Sequence, residues 1–152
     1  MSSSVVQLSG VKFRWRPQIP LTLDGLDFNL SPGESLFVHG PSGSGKTTLL
    51  NLIAGVAMPE QGDVHVLDQS LRQLSPANRD AFRADHIGLI FQMFNLVPYL
   101  TVVENILLPC RFSARRRDKA VAKDGNLDAA AKRLLGGWSW ILPTWVRARH
   151  RN

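Results

Sequence analysis

Eight residues of this 152-residue chain confine its possible architectures more than any others: Gly40, Pro41, Ser42, Gly43, Ser44, Gly45, Lys46 and Thr47, spaced as G-x-x-x-x-G-K-[ST]. Ahead of them, residues 35–39 read as a short, mostly apolar strand. Behind them, Leu49, Leu52, Ile53 and Val56 recur at i, i+3, i+4 and i+7, the stripe of a helix laid on a sheet. A strand that runs into a glycine-rich loop and leaves as a helix is an α/β unit.

The residue types at those positions suit a triphosphate, which needs many donors converging on it. Glycines at 40, 43 and 45 let the main chain wrap closely, with its N–H groups forming an anion nest. The helix that starts near Lys46 adds its positive end. The Lys46 ammonium is placed to reach β- and γ-phosphates, and the Thr47 hydroxyl to ligate Mg²⁺. The competing reading is a glycine-rich turn with an incidental Lys-Thr; the strand before it and the helix after it disfavour that.

The remaining elements follow from periodicity and turn chemistry. Residues 5–8 and 11–15 read as two short strands, and 26–30 as a third, with Leu26, Phe28 and Leu30 on one face and Asp27 and Asn29 on the other. Residues 64–67 and the apolar run 87–91 are further strands, the latter buried. Ser75-Pro76 marks a helix start, and Thr101 with Glu104 forms a capping-box pattern opening a helix that Pro109 ends or kinks. Residues 114–135 are helical in composition, interrupted at 124–126. Three of the four tryptophans, Trp138, Trp140 and Trp145, then fall together, followed by Arg147, Arg149, His150 and Arg151.

A hydrophobic fraction of 44% and a charged fraction of 20% describe a soluble globular chain. The sequence has no 18-residue apolar run, so no helix of it is expected to span a bilayer, and the start has no basic region followed by an apolar one, which points away from secretion. One cysteine, Cys110, excludes an internal disulfide and reads as a small apolar filler in a reducing compartment. The net charge of +6 is unevenly placed: residues 1–110 carry 7 Lys+Arg against 9 Asp+Glu, and residues 111–152 carry 11 against 3. The basicity belongs to the last quarter, so no nucleic-acid partner is expected for the body of the chain. Arg115, Arg116 and Arg117 read as a solvated helix face. His39, His65, His86 and His150 show no metal-ligand spacing.

Beyond the phosphate motif, three stretches carry a resemblance: GPSGSGKTTLL at 40–50, GDV at 62–64, and IGLIFQMFNLVPYLTVVEN at 87–105. Over roughly residues 5–135 the sequence resembles the nucleotide-binding subunit of ABC transporters, in its lipoprotein-releasing and macrolide-export type. The resemblance implies an α/β P-loop NTPase with an N-terminal antiparallel β part and an incomplete parallel sheet with helices. It implies ATP and Mg²⁺ as cofactors, held by Gly40 to Thr47 together with Thr48. It further implies a membrane permease and a second nucleotide-binding subunit as partners, at the cytoplasmic face of the membrane. Trp15 falls where the family places an aromatic that stacks on adenine, more often Tyr; the alternative is a strand-core aromatic. Gln92 falls on the Q-loop glutamine, which contacts Mg²⁺ and the attacking water; catalytic residues beyond Lys46 and Gln92 are not found. Met93, Phe94, Leu96, Val97 and Tyr99 either receive a coupling helix of the permease or pack as core.

The family's signature, Walker B carboxylates and switch histidine do not follow Gln92, and the segment from 136 onward looks foreign to what precedes it, as a change of reading frame or a truncation near Gly136 would make it. The expected organisation is a partial nucleotide-binding domain over 1–135 and a basic tail over 136–152. Strands of the parallel sheet would then lack neighbours, which predicts low stability. Two rival functions remain at this stage: a non-hydrolysing nucleotide-binding or regulatory fragment, and a nucleic-acid or anionic-membrane binder working through the basic tail.

Overall fold

The computed structural model describes residues 4–91 and 95–137. The chain divides into two units, Met1–Arg83 and Ala84–Asn152.

In the first unit a four-stranded antiparallel sheet has the order β2-β1-β3-β4. Strand β1 is Val6–Phe13, β2 Leu23–Leu30, β3 Gln61–Val66 and β4 Gln69–Ser70. The two strands expected over 5–8 and 11–15 are one strand. Val6 and Leu8 face the core in one phase, Val11 and Phe13 in the other, and a bulge between Leu8 and Val11 moves the alternation by one residue. Gly10 makes this possible with φ at +57°, and its N–H, displaced from the ladder, donates to Asp27 Oδ1 at 2.7 Å. The strand stops at Phe13 rather than Trp15. On β2, Leu26, Phe28 and Leu30 alternate with exposed Asp27 and Asn29, as the sequence pattern requires.

Helix α1, Lys46–Ile53, packs on β3. Its fully buried Leu52 joins Ala54, Leu71 and the inward residues Val6, Leu8, Val11, Val64 and Val66 to form the core of this unit. Leu49 and Ile53 are half-buried, whereas Val56 lies past the helix end and is exposed. Gly55, at φ +66°, has already turned the chain away before the fourth residue of the stripe arrives.

Two expected strands are absent. Residues 35–39 and 87–91 form no ladder, and apart from half-buried Ile87 their large apolar side chains are open to solvent: Phe37 is 85% exposed and Ile90 fully exposed. Phe37 stacks on His39 at 6.1 Å instead of entering a core. A central parallel strand needs a neighbour on each side to satisfy its backbone and bury both faces. Among the described residues neither segment has one, so each stays unpaired.

Helix α2, Pro76–His86, begins at Ser75, whose Oγ accepts the Asn78 N–H at 3.2 Å. The second unit contains α3 Val102–Phe112, α4 Ala114–Asp124 and α5 Leu127–Gly137. Thr101 and Glu104 complete the capping box of α3. Pro109 does not end this helix, which continues to Phe112. Ser113 is buried and caps α4 by accepting the Arg116 N–H, while its own hydroxyl donates to Asp85 at 2.5 Å. Helices α4 and α5 turn at Gly125, where the Arg133 guanidinium forks onto the Asp124 carboxylate at 2.6 and 3.1 Å. The Trp/Arg-rich stretch 138–152 lies outside the described residues.

Candidate phosphate-binding site

The loop expected to hold phosphate joins the unpaired stretch 35–39 to α1. Ser44 N–H closes a turn on Pro41 O at 3.3 Å, and the helix is under way when Leu49 N–H reaches Gly45 O at 2.8 Å. Between those bonds stands an unusual helix start. Its N-cap is Gly45, left-handed at φ 89°, with no side-chain cap and no acidic residue in the first turn. An ordinary start places Ser, Thr, Asp or Asn at the cap and an acid just inside. Here a cation, Lys46, occupies the first helical position, where the macrodipole disfavours it. The first-turn N–H groups are left to an external acceptor, and the local charge calls for an anion.

Lys46 is held over the loop rather than extended into solvent. Its ammonium donates to Gly40 O and Pro41 O at 2.7 Å each and to Ser44 Oγ at 3.2 Å. The loop thus folds round its own lysine, and Gly40, Pro41, Ser42, Gly43 and Ser44 remain exposed around it. Gly45 cannot be replaced without cost: a Cβ there meets Leu23 Cδ2 at 3.0 Å and Thr22 O at 3.3 Å. The Thr47 hydroxyl is exposed at the helix start, which leaves it available to a metal ion bound with phosphate.

Trp15 comes to the same helix from the end of β1. Its ring is half-exposed, meets Phe13 edge-on at 5.0 Å, and donates its Nε1–H to Thr48 Oγ1 at 3.2 Å. The structure therefore brings together Trp15, the loop Gly40 to Gly45, Lys46, Thr47 and Thr48. Gln92, Met93 and Phe94 lie outside the described residues. Of the other apolar residues in that region, Leu96 and Tyr99 are exposed rather than core, and Val97 is half-buried. Cys110 is a free, half-buried thiol.

Two residues in the second unit do more than their types announce. Asn105 spends its whole amide on the preceding turn: Oδ1 accepts Val97 N–H at 2.8 Å, and Nδ2 donates to the carbonyls of Val97, Leu100 and Thr101 at 3.0–3.1 Å. Arg116 is not part of a solvated face. It donates to Ala84 O and Ile87 O, while Arg115 meets His86 Nδ1 at 2.9 Å. Only the position of Asn105 four residues after the cap Thr101 hinted at such a clamp; nothing in an arginine run distinguishes Arg116. The backbone N–H and hydroxyl of Thr101 hold the Glu104 carboxyl below its usual range, and the Arg133 fork does the same for Asp124.

The model of the ABC transporter family matches residues 23–139. An uncharacterised ABC transporter ATP-binding protein of Mycobacterium tuberculosis is 43% identical over 124 residues, covering 79% of this chain and 50% of that protein. The lipoprotein-releasing system ATP-binding protein LolD of Chromohalobacter salexigens is 38% identical over 111 residues, covering 73% and 47%. A dimeric ATP-binding cassette solved in a post-hydrolysis state with ADP and phosphate superposes with a TM-score of 0.65 at 34% identity, over 78% of this chain and 54% of that one. The chain thus spans about half the length of these relatives. With the family model matching residues 23–139 and the glycine-rich loop leading into an uncapped helix start, the chain belongs to the ABC transporter family.

Proposed function

We propose that residues 40–48 bind the phosphates of Mg²⁺-ATP and that the chain belongs to the ATP-hydrolysing subunit of a membrane export or lipoprotein-release permease, working at the cytoplasmic face beside a second nucleotide-binding subunit. The observation that carries this reading is the start of α1: a left-handed glycine cap, no acid, and a lysine bound to the carbonyls of its own loop. Such an arrangement is costly for a helix alone and favourable once an anion arrives.

Each residue then has a role. The amides of Gly43 to Thr48 donate to phosphate oxygens, Lys46 offsets charge on the β- and γ-phosphates, and Thr47 ligates the metal, which supplies further neutralisation of charge. Trp15 offers an open indole face to the base. Gln92 is assigned to the metal and the attacking water by resemblance, and exposed Leu96 and Tyr99 to the permease. After Gln92 the 152 residues hold no signature and no Walker B carboxylate, so these residues by themselves bind nucleotide without turning it over. Calorimetric titration of the chain with Mg²⁺-ATP, beside Lys46→Ala, tests the reading. Binding that is lost with the lysine supports it, and phosphate release dependent on Lys46 would overturn the claim that turnover needs groups from elsewhere.

A further inference from the structure

We propose that Thr48 is a positioning residue: its hydroxyl fixes the plane of the Trp15 indole, so that the stacking platform for a base and the cradle for phosphate are tied to one helix. The proposal rests on the nucleotide reading above and adds to it a determinant of base recognition.

A half-exposed tryptophan at the end of a strand would ordinarily sample several rotamers, and stacking on it would then cost the entropy of ordering the ring. Trp15 is restrained at two points. Phe13, itself buried, meets the ring edge-on with the planes at 89°, which leaves a face of the indole open. The indole N–H is bound by Thr48 Oγ1 at 3.2 Å. Thr48 is only 5% exposed and stands on the first turns of α1, so the acceptor is a fixed one. A helical threonine commonly turns its hydroxyl to its own helix; this one accepts from a side chain 33 positions earlier in the chain. The ring is thereby set relative to Lys46 and Thr47, two and one residues before it on the same helix. Removing the hydroxyl frees the ring and keeps the Thr48 amide, the group assigned to phosphate, in place. The effect must then depend on the presence of a base.

The test uses the full chain with Trp138, Trp140 and Trp145 changed to phenylalanine, leaving Trp15 as the one tryptophan, and compares Thr48→Val with Thr48→Ser. Thr48→Val is expected to lower the emission anisotropy of ligand-free Trp15 and to weaken Mg²⁺-ATP binding about fivefold in calorimetry, the worth of one hydrogen bond. Binding of inorganic tripolyphosphate should weaken less than that of Mg²⁺-ATP, Thr48→Ser should restore both readings, and Thr48→Val should add nothing to the binding loss of Trp15→Phe. Equal weakening of ATP and tripolyphosphate would overturn the proposal by assigning the hydroxyl to phosphate, as would a loss that persists in the Trp15→Phe background or unchanged anisotropy. A starting protein that binds neither ligand overturns the phosphate-site reading, while the ligand-free anisotropy still decides the contact.

Discussion

Replacing Gly45 by alanine isolates what the loop's shape contributes to anion binding. At φ 89° the alanine enters left-handed space, which costs an L-residue roughly 1–2 kcal/mol. Its methyl group also meets Leu23 Cδ2 at 3.0 Å and the main-chain Thr22 O at 3.3 Å. The leucine tip can give way and the carbonyl cannot readily, so crowding adds about 1 kcal/mol or more. Together they predict Mg²⁺-ATP binding weaker by about 2–3 kcal/mol, or roughly 30- to 150-fold, because the cradle must be rebuilt each time it is occupied. Gly43 is the control. It is also left-handed, at φ 83°, but a methyl group there meets nothing within 4 Å. Gly43→Ala carries only the backbone cost, roughly 1–2 kcal/mol and so about 5- to 30-fold. Calorimetric titration, with circular dichroism to show that both variants fold, reads the two numbers. Gly45→Ala binding as tightly as the parent, or Gly43→Ala proving the more damaging, would refute the reasoning.

Other consequences follow from contacts elsewhere in the chain. Truncating Asn105 to alanine leaves the Val97 amide and three carbonyls without their partner; a stability loss of about 1–3 kcal/mol and faster hydrogen exchange at Val97 are expected. Leu52→Ala opens a cavity in a fully buried position of the first unit and should cost about 2–5 kcal/mol in denaturant unfolding. Glu104 and Asp124 have depressed pKa values in the folded chain, so the stability they contribute is present above the ordinary carboxylate range and is lost as pH falls through the depressed values. Amide exchange at the start of α3 and at the α4–α5 turn should therefore rise on acidification, and Glu104→Gln should flatten the response at α3. Arg116→Ala should raise exchange in 84–87, where its guanidinium binds two carbonyls, whereas Arg117→Ala, whose charge pairs with neighbouring Asp118, should not.

Local chemistry made much of this molecule readable from residues alone. The capping box at Thr101 and Glu104, the start at Ser75, the break at 124–126 and the alternation of β2 each depend on a few adjacent residues, and each is present. The loop 40–47 is readable for the same reason: eight consecutive residues carry both its shape and its charge. What escaped depends on distant partners. The apolar runs 35–39 and 87–91 have strand composition, but a strand is realised only by a neighbour, and no local pattern says whether one exists. The single β1 was read as two because a bulge reverses the alternation that periodicity relies on. Arg116 was hidden because its partners are backbone carbonyls some thirty residues earlier, which leave no trace in a sequence.

The central claim is that the turn from 40 to 48 is a cradle for the charged end of a nucleotide. Backbone amide shifts followed during titration with Mg²⁺-ATP test it most directly. The account predicts saturable movement concentrated at Gly43, Gly45, Lys46 and Thr47, abolished in Lys46→Ala. A chain shown to be folded whose amides at those positions stay unmoved at millimolar Mg²⁺-ATP would contradict it.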